Sequence, residues 1–126
     1  MSINRRFVGS TLFLNNTSAA STDPDRITAV SSTTFTAAAN MNESADYVAY
    51  CFAEIPGYSS IGSYEGNGST DGSFVYTAFR PAFVILKRTN TAQEWQLYDS
   101  ERDPYNVANH KLEPNSSSAE SILTTD

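Results

Sequence analysis

The chain of 126 residues has one cysteine, one histidine, one tryptophan and few charges, and each shortage excludes something. A lone cysteine cannot form a disulfide within the chain. Cys51 also lies among Val48, Tyr50, Phe52 and Ala53, apolar company that favours a buried, inert thiol over a reactive one. With His110 as the one histidine, no His cluster exists to hold a transition metal. A catalytic triad would also lack any second choice of base, and a His beside a turn reads as a surface residue. Charged residues make up 17% of the chain, with net charge −6, so Ser, Thr and Asn carry much of the solubility. The basic residues are scattered, with Arg5-Arg6 and Lys87-Arg88 as the only doublets. A negative surface without clustered cations repels nucleic acid and anionic membranes. No apolar run approaches the roughly 18 residues of a membrane span. The start, Met1-Ser-Ile-Asn-Arg-Arg-Phe7, lacks the apolar core of a signal peptide. The expectation is a soluble protein made in a cytoplasm, with no nucleic-acid partner, no membrane insertion and no cofactor.

What is present is period-2 alternation. In Tyr47-Val-Ala-Tyr-Cys-Phe-Ala53 the residues Val48, Tyr50 and Phe52 face one way, and Ala49, Cys51 and Ala53 the other. The small face invites another layer close above it, as in a sandwich of two sheets. Further strands are expected at Thr11–Asn15, Ile27–Val30, Thr33–Ala37, Tyr58–Tyr64, Phe74–Phe79, Ala82–Thr89, Glu94–Tyr98 and weakly near Lys111. Turn signals separate them at Asp23-Pro24-Asp25, Pro56-Gly57, Gly66-Asn67-Gly68, Asp71-Gly72, Pro81, Asp103-Pro104 and Glu113-Pro114-Asn115. Thr89–Gln93 reads as a hairpin loop, and Ser117–Leu123 as coil or a single turn. Short strands with frequent turns predict an all-β fold, a two-sheet antiparallel sandwich or jelly roll, with little helix. One domain should span 1–126, and at this length about two-thirds of the unfolded surface should become buried. An echo across 100 residues pairs Asn15-Asn-Thr-Ser-Ala-Ala-Ser21 with Asn115-Ser-Ser-Ser-Ala-Glu-Ser121. Chance in a Ser/Asn-rich chain explains it as well as a repeat does.

Candidates for chemistry are weak. Asp99, Glu101 and Asp103 alternate after the strand carrying Trp95, as paired carboxylates of a glycan-degrading sandwich enzyme would. Arg102 within the run and Pro104 after it favour a solvated corner with an Asp turn cap and a local ion pair. No catalytic residue is therefore assigned. Gly66–Gly72 opens onto a strand, where a phosphate cradle would open onto a helix. Asp71 and Asn67 offer calcium one carboxylate, too little to assign a metal site. Five Asn-x-Ser/Thr sequons, at Asn15, Asn16, Asn42, Asn67 and Asn115, follow from composition. Seven tyrosines and Trp95 either fill sheets or serve as stacking and anchoring residues at a surface. Tyr58, Tyr64, Trp95, Tyr98 and Tyr105 are the candidate ligand or interface residues.

The stretch from Tyr47 to Gly68, continued by Asp71–Thr89 and then Trp95, Tyr98-Asp99 and Arg102-Asp-Pro-Tyr-Asn106, resembles a lectin-like β-sandwich domain of marine tailed-phage virion proteins. The resemblance covers about half the chain. It implies a non-enzymatic structural protein on the particle surface, a head decoration or a fibre or attachment subunit. Its partners would be other virion proteins and copies of itself, and its place the virion. Residues 1–54 look like the second half of the family unit and 55–126 like the first. That order suggests a phase-shifted unit completed by strands exchanged between subunits, and it gives the echo a reason. A glycan-binding adhesion module is the alternative implication, with a glycan-degrading enzyme behind it.

Overall fold

The computed structural model describes residues 10–23 and 26–123; Arg5-Arg6, the Met1–Phe7 start and the Pro24-Asp25 part of the first turn lie outside them. Among the described residues there are eight short strands paired as four antiparallel two-stranded sheets, together with one 3-10 turn at Ala39–Met41. Two units are present: 1–46 with 83–126, and 47–82.

In the first unit, β1 (Ser10–Thr11) pairs with β2 (Ser21–Thr22), and β3 (Ile27–Val30) with β4 (Phe35–Ala37). The loop of the second hairpin is held by Ser31, whose Oγ accepts the amides of Thr33 (3.2 Å) and Thr34 (2.9 Å). Those amides are thereby withdrawn from the ladder, so the fourth strand begins at Phe35 where alternation alone predicts Thr33. Thr28 is the extra residue of a bulge between Ile27↔Ala37 and Ala29↔Thr36. β5 (Phe83–Leu86) pairs with β6 (Gln96–Asp99) around the loop that includes Thr89–Gln93, in the register Phe83↔Asp99 to Leu86↔Gln96. Leu97 then exchanges backbone bonds with Leu112 (2.9 and 3.1 Å), attaching the hairpin of β7 (His110–Lys111) and β8 (Ser121–Ile122). The eighth strand occupies part of the segment expected to be coil.

The 100-residue echo has a structural counterpart. The pairs Ser10↔Thr22 and Thr11↔Ser21 recur as His110↔Ile122 and Lys111↔Ser121, so two hairpins of identical register lie 100 residues apart. Both are fastened to Trp95. Its indole N–H donates to the Phe13 carbonyl (2.8 Å), and its backbone N–H donates to Asn115 Oδ1 (2.9 Å). The first hairpin is further laced to the loop after β5, where Gln93 donates to the Thr17 carbonyl and Ala20 to that of Thr89, both at 2.9 Å.

In the second unit, the chain that begins at Tyr47 makes a tight turn at Ile55-Pro56-Gly57-Tyr58. There Tyr58 N–H donates to the Ile55 carbonyl at 2.9 Å and Gly57 takes φ +76°. Pro at the second position and Gly with positive φ at the third make this a type II turn. A single bridge, Ile55↔Ser59, follows it. Tyr47–Ala53, Tyr58–Tyr64 and Phe74–Phe79, expected as strands, carry no ladder among the described residues beyond that bridge.

All-β, antiparallel character is therefore present, while the described residues close no sandwich. None of them is buried. Cys51 is exposed, correcting the expectation of a buried thiol, because no second layer covers the small face of Tyr47–Ala53.

Replacing Trp95 with Phe keeps the ring but removes the donor to Phe13. The expected cost is about 1 kcal/mol, read as a lower urea midpoint, and a change below about 0.3 kcal/mol would show that the indole bond does not hold the first hairpin.

Candidate functional site: an uncovered apolar arm

The second unit, 47–82, shows what its side chains lack. Every residue in it is exposed except Ser59, Ser73, Thr77, Phe79 and Pro81, which are half-buried. Val48 is 80% exposed and Tyr50 and Phe52 are each 83% exposed, although they alternate as the core face of a strand should. Phe74 (88%) and Tyr76 are equally bare.

Local hydrogen bonds nonetheless shape the arm. Ser59 Oγ donates to the Ala53 carbonyl (2.7 Å) and accepts from Ile55 N–H (3.0 Å), and Glu54 Oε1 accepts from Ile61 N–H (3.2 Å). The loop at 66–72 is closed by its own side chains. Asn67 Nδ2 donates to the Asp71 carbonyl (2.8 Å), Ser69 N–H donates to Asn67 Oδ1 (3.0 Å), and Gly68 takes φ +71°. This use of Asn67 Oδ1 leaves the loop poorly suited to calcium. Among the described residues no group of three or more His, Cys, Asp or Glu side chains could hold a metal ion.

The area involved is large. A compact monomer of 13.7 kDa exposes about 6,600 Å² and its unfolded chain about 19,900 Å². This chain exposes 10424 Å², so it covers roughly half of its unfolded surface where two-thirds was expected.

The five aromatic candidates fall in both units. Tyr58 (78% exposed) and Tyr64 (54%) belong to the arm. Trp95, Tyr98 and Tyr105 belong to the first unit. There Tyr105 is 85% exposed, while Trp95 and Tyr98 are half-buried and Tyr98 donates its hydroxyl proton to Gln96 Oε1 (3.1 Å). Trp95 therefore serves the fold, as the fastening point of two hairpins. Sequence reasoning dispersed the surface over single aromatics and missed that three successive apolar segments stand open together. A signal was available, because Tyr47–Ala53, Tyr58–Tyr64 and Phe74–Phe79 follow one another in the chain and hold Tyr47, Tyr50, Tyr58, Tyr64 and Tyr76 of its seven tyrosines, with Phe52, Phe74 and Phe79 beside them.

The acidic corner after β6 is structural. Asp99 Oδ1 accepts the amides of Glu101 (3.1 Å) and Arg102 (2.9 Å), and Oδ2 accepts from Arg102 Nε (2.7 Å). Arg102 also pairs with Glu120, tying the corner to the segment before β8. Asp103 accepts from the His110 backbone N–H (2.9 Å) and pairs with His110 Nδ1 (2.6 Å). The side-chain bond from Arg102, with backbone donors beside it, lowers the Asp99 pKa from the ordinary 3.8. The His110 backbone donor does the same for Asp103. Both carboxylates are thus engaged in turn and strand contacts, and the alternation that suggests paired acids is explained by an Asp cap.

A family model described as "Domain of unknown function (DUF7483)" matches residues 2–126. No curated protein and no solved structure matches the chain.

Two outcomes test this geometry. In dilute protein the amides of 47–53 should exchange with deuterium at nearly the unprotected rate while those of β5 and β6 are slowed; equal protection would mean that the arm is covered within one chain. Because Asp99 and Asp103 have lowered folded-state pKa values, their stabilisation is complete above about 3.8 and is lost as pH falls below it. The urea midpoint of Asp103→Asn should therefore fall less steeply than that of the parent between pH 4 and pH 2, and parallel curves would dismiss the Asp103 contact as a source of acid sensitivity.

Proposed function

The chain belongs to the DUF7483 family, and from its uncovered arm and its resemblance to marine-phage virion proteins we propose that it is a non-enzymatic virion structural protein of a tailed phage. It would sit on the particle surface as a head decoration or a fibre or attachment subunit, and act by binding copies of itself and neighbouring virion proteins. The observation that carries this reading is the arm of 47–82, whose aromatic and branched side chains stand in solvent. Uncovered apolar surface on this scale marks a protein-interaction site.

Two further observations support it. The chain's surface chemistry is acidic and polar, which suits the outside of a particle better than contact with packaged nucleic acid. Its one alternating set of carboxylates is engaged in capping and ion pairing, which leaves a hydrolytic reading without a poised acid. The resemblance to marine-phage virion proteins supplies the biological setting.

Exposed Tyr58, Tyr64 and Tyr105 favour a second reading, an adhesion module that stacks sugar rings on aromatic faces. Quantitative mass spectrometry of purified parent particles discriminates between the two. Copies on the order of the capsid subunit number are expected for a head decoration, and a few to tens for a fibre or tail attachment. Absence from the particle would overturn the virion reading. Binding on a glycan array that is lost in Tyr58→Ala and Tyr64→Ala would then favour the adhesion reading.

A further inference from the structure

The arm that supports an assembly role also constrains its partner, and the identity of that partner rests on the assembly reading. We infer that the arm is received by a second copy of this chain, with Tyr47–Ala53 pairing along the outer edge of β5 (Phe83–Leu86).

Three observations lead there. The first is self-complementarity. Each chain carries a donor, the unladdered segment Tyr47–Ala53, and an acceptor, because among the described residues β5 is bonded to β6 on one side only. An unpaired strand edge is a template for another strand. A partner of different sequence would satisfy one of these and leave the other exposed, whereas a copy exchanged reciprocally satisfies both.

The second is the match of faces. On β5, Phe83 and Ile85 are exposed and Val84 and Leu86 half-covered. Setting Val48, Tyr50 and Phe52 on the side of Phe83 and Ile85 gives one continuous bulky face. Ala49, Cys51 and Ala53 then lie with Val84 and Leu86.

The third is charge. Neither strand contains a charged residue, so pairing involves no burial of like charges despite the net −6 of the chain. Lys87 and Arg88 follow β5, while Asp46 and Glu54 flank the arm segment at either end. An acid therefore meets the two cations in a parallel or an antiparallel pairing. Lys87 Nζ now donates to the carbonyls of Thr17 and Arg88, and Arg88 Nε to Asn90 Oδ1, all neutral acceptors.

Cys51, the single cysteine, provides the test. The unmodified full chain should be dimeric or larger by light scattering across 1–100 µM. For cross-linking, parent chain is mixed with a tagged chain carrying Cys51→Ser and one new cysteine, unfolded and refolded together, and oxidised with copper phenanthroline. Disulfide geometry requires Cα atoms about 4.4–6.8 Å apart. Val84→Cys or Leu86→Cys, on the face of Cys51, should give a cross-linked heterodimer in at least tenfold higher yield than Phe83→Cys or Ile85→Cys. A monomer throughout the concentration range overturns the inference, as does an oligomer whose four cysteine variants cross-link equally or not at all. A chain found on particles that fails these tests overturns the exchange and leaves the virion reading standing. A chain that passes them but is absent from particles supports the exchange and overturns the virion reading.

Discussion

An antiparallel β protein is held together chiefly by removing one face of each sheet from water, and among the described residues that requirement is unmet. No described residue is buried, and the segments richest in aromatic and branched side chains are among the most exposed. At about 25 cal/mol per Å², the uncovered surface represents a large driving force toward association, much greater than the typical 0–1 kcal/mol of an exposed ion pair. The pairs Arg26–Asp23, Arg102–Asp99 and Lys111–Glu113 therefore shape loops and corners without substituting for a core.

Local pattern made part of this legible. Alternation located Ile27–Val30 and the cores of the strands at Phe35–Ala37, Phe83–Leu86 and Gln96–Asp99, along with the loop joining the last two. It overran at Thr33 because a serine hydroxyl competed for the amides that would have begun the ladder. It failed at Tyr47–Ala53 for a different reason. Period-2 alternation reports that a segment would be stable as a half-buried strand, but says nothing about which polypeptide supplies the neighbour. The buried thiol expected at Cys51 failed with it, since burial of the small face requires a second layer. The all-β antiparallel class survives both errors, because strand identity is local while sheet closure is a long-range property. Of the five aromatic candidates, the alternation could mark Tyr58 and Tyr64 as surface groups only once their strands were seen to lack partners.

Trp95 shows how a single side chain can organise a unit without a core. Its indole reaches the hairpin of β1 and β2, its backbone reaches the hairpin of β7 and β8, and Leu97 two residues on extends β6 toward the latter. Two hairpins of the same register thus share one attachment point. Directional bonds to carbonyl and amide groups do here what interdigitated side chains do in a densely packed sandwich. They specify which elements meet, but they bury little area.

The bond between Trp95 and Phe13 closes over 82 residues of sequence, and the whole arm lies inside that span. On a ribosome adding about 5–20 residues each second, the arm therefore emerges several seconds before the first unit can shut. Translation thus presents a sticky, uncapped stretch to the cell ahead of the scaffold that carries it. Were the arm received by another chain as proposed, the timing of synthesis would bear on assembly as much as the finished contacts.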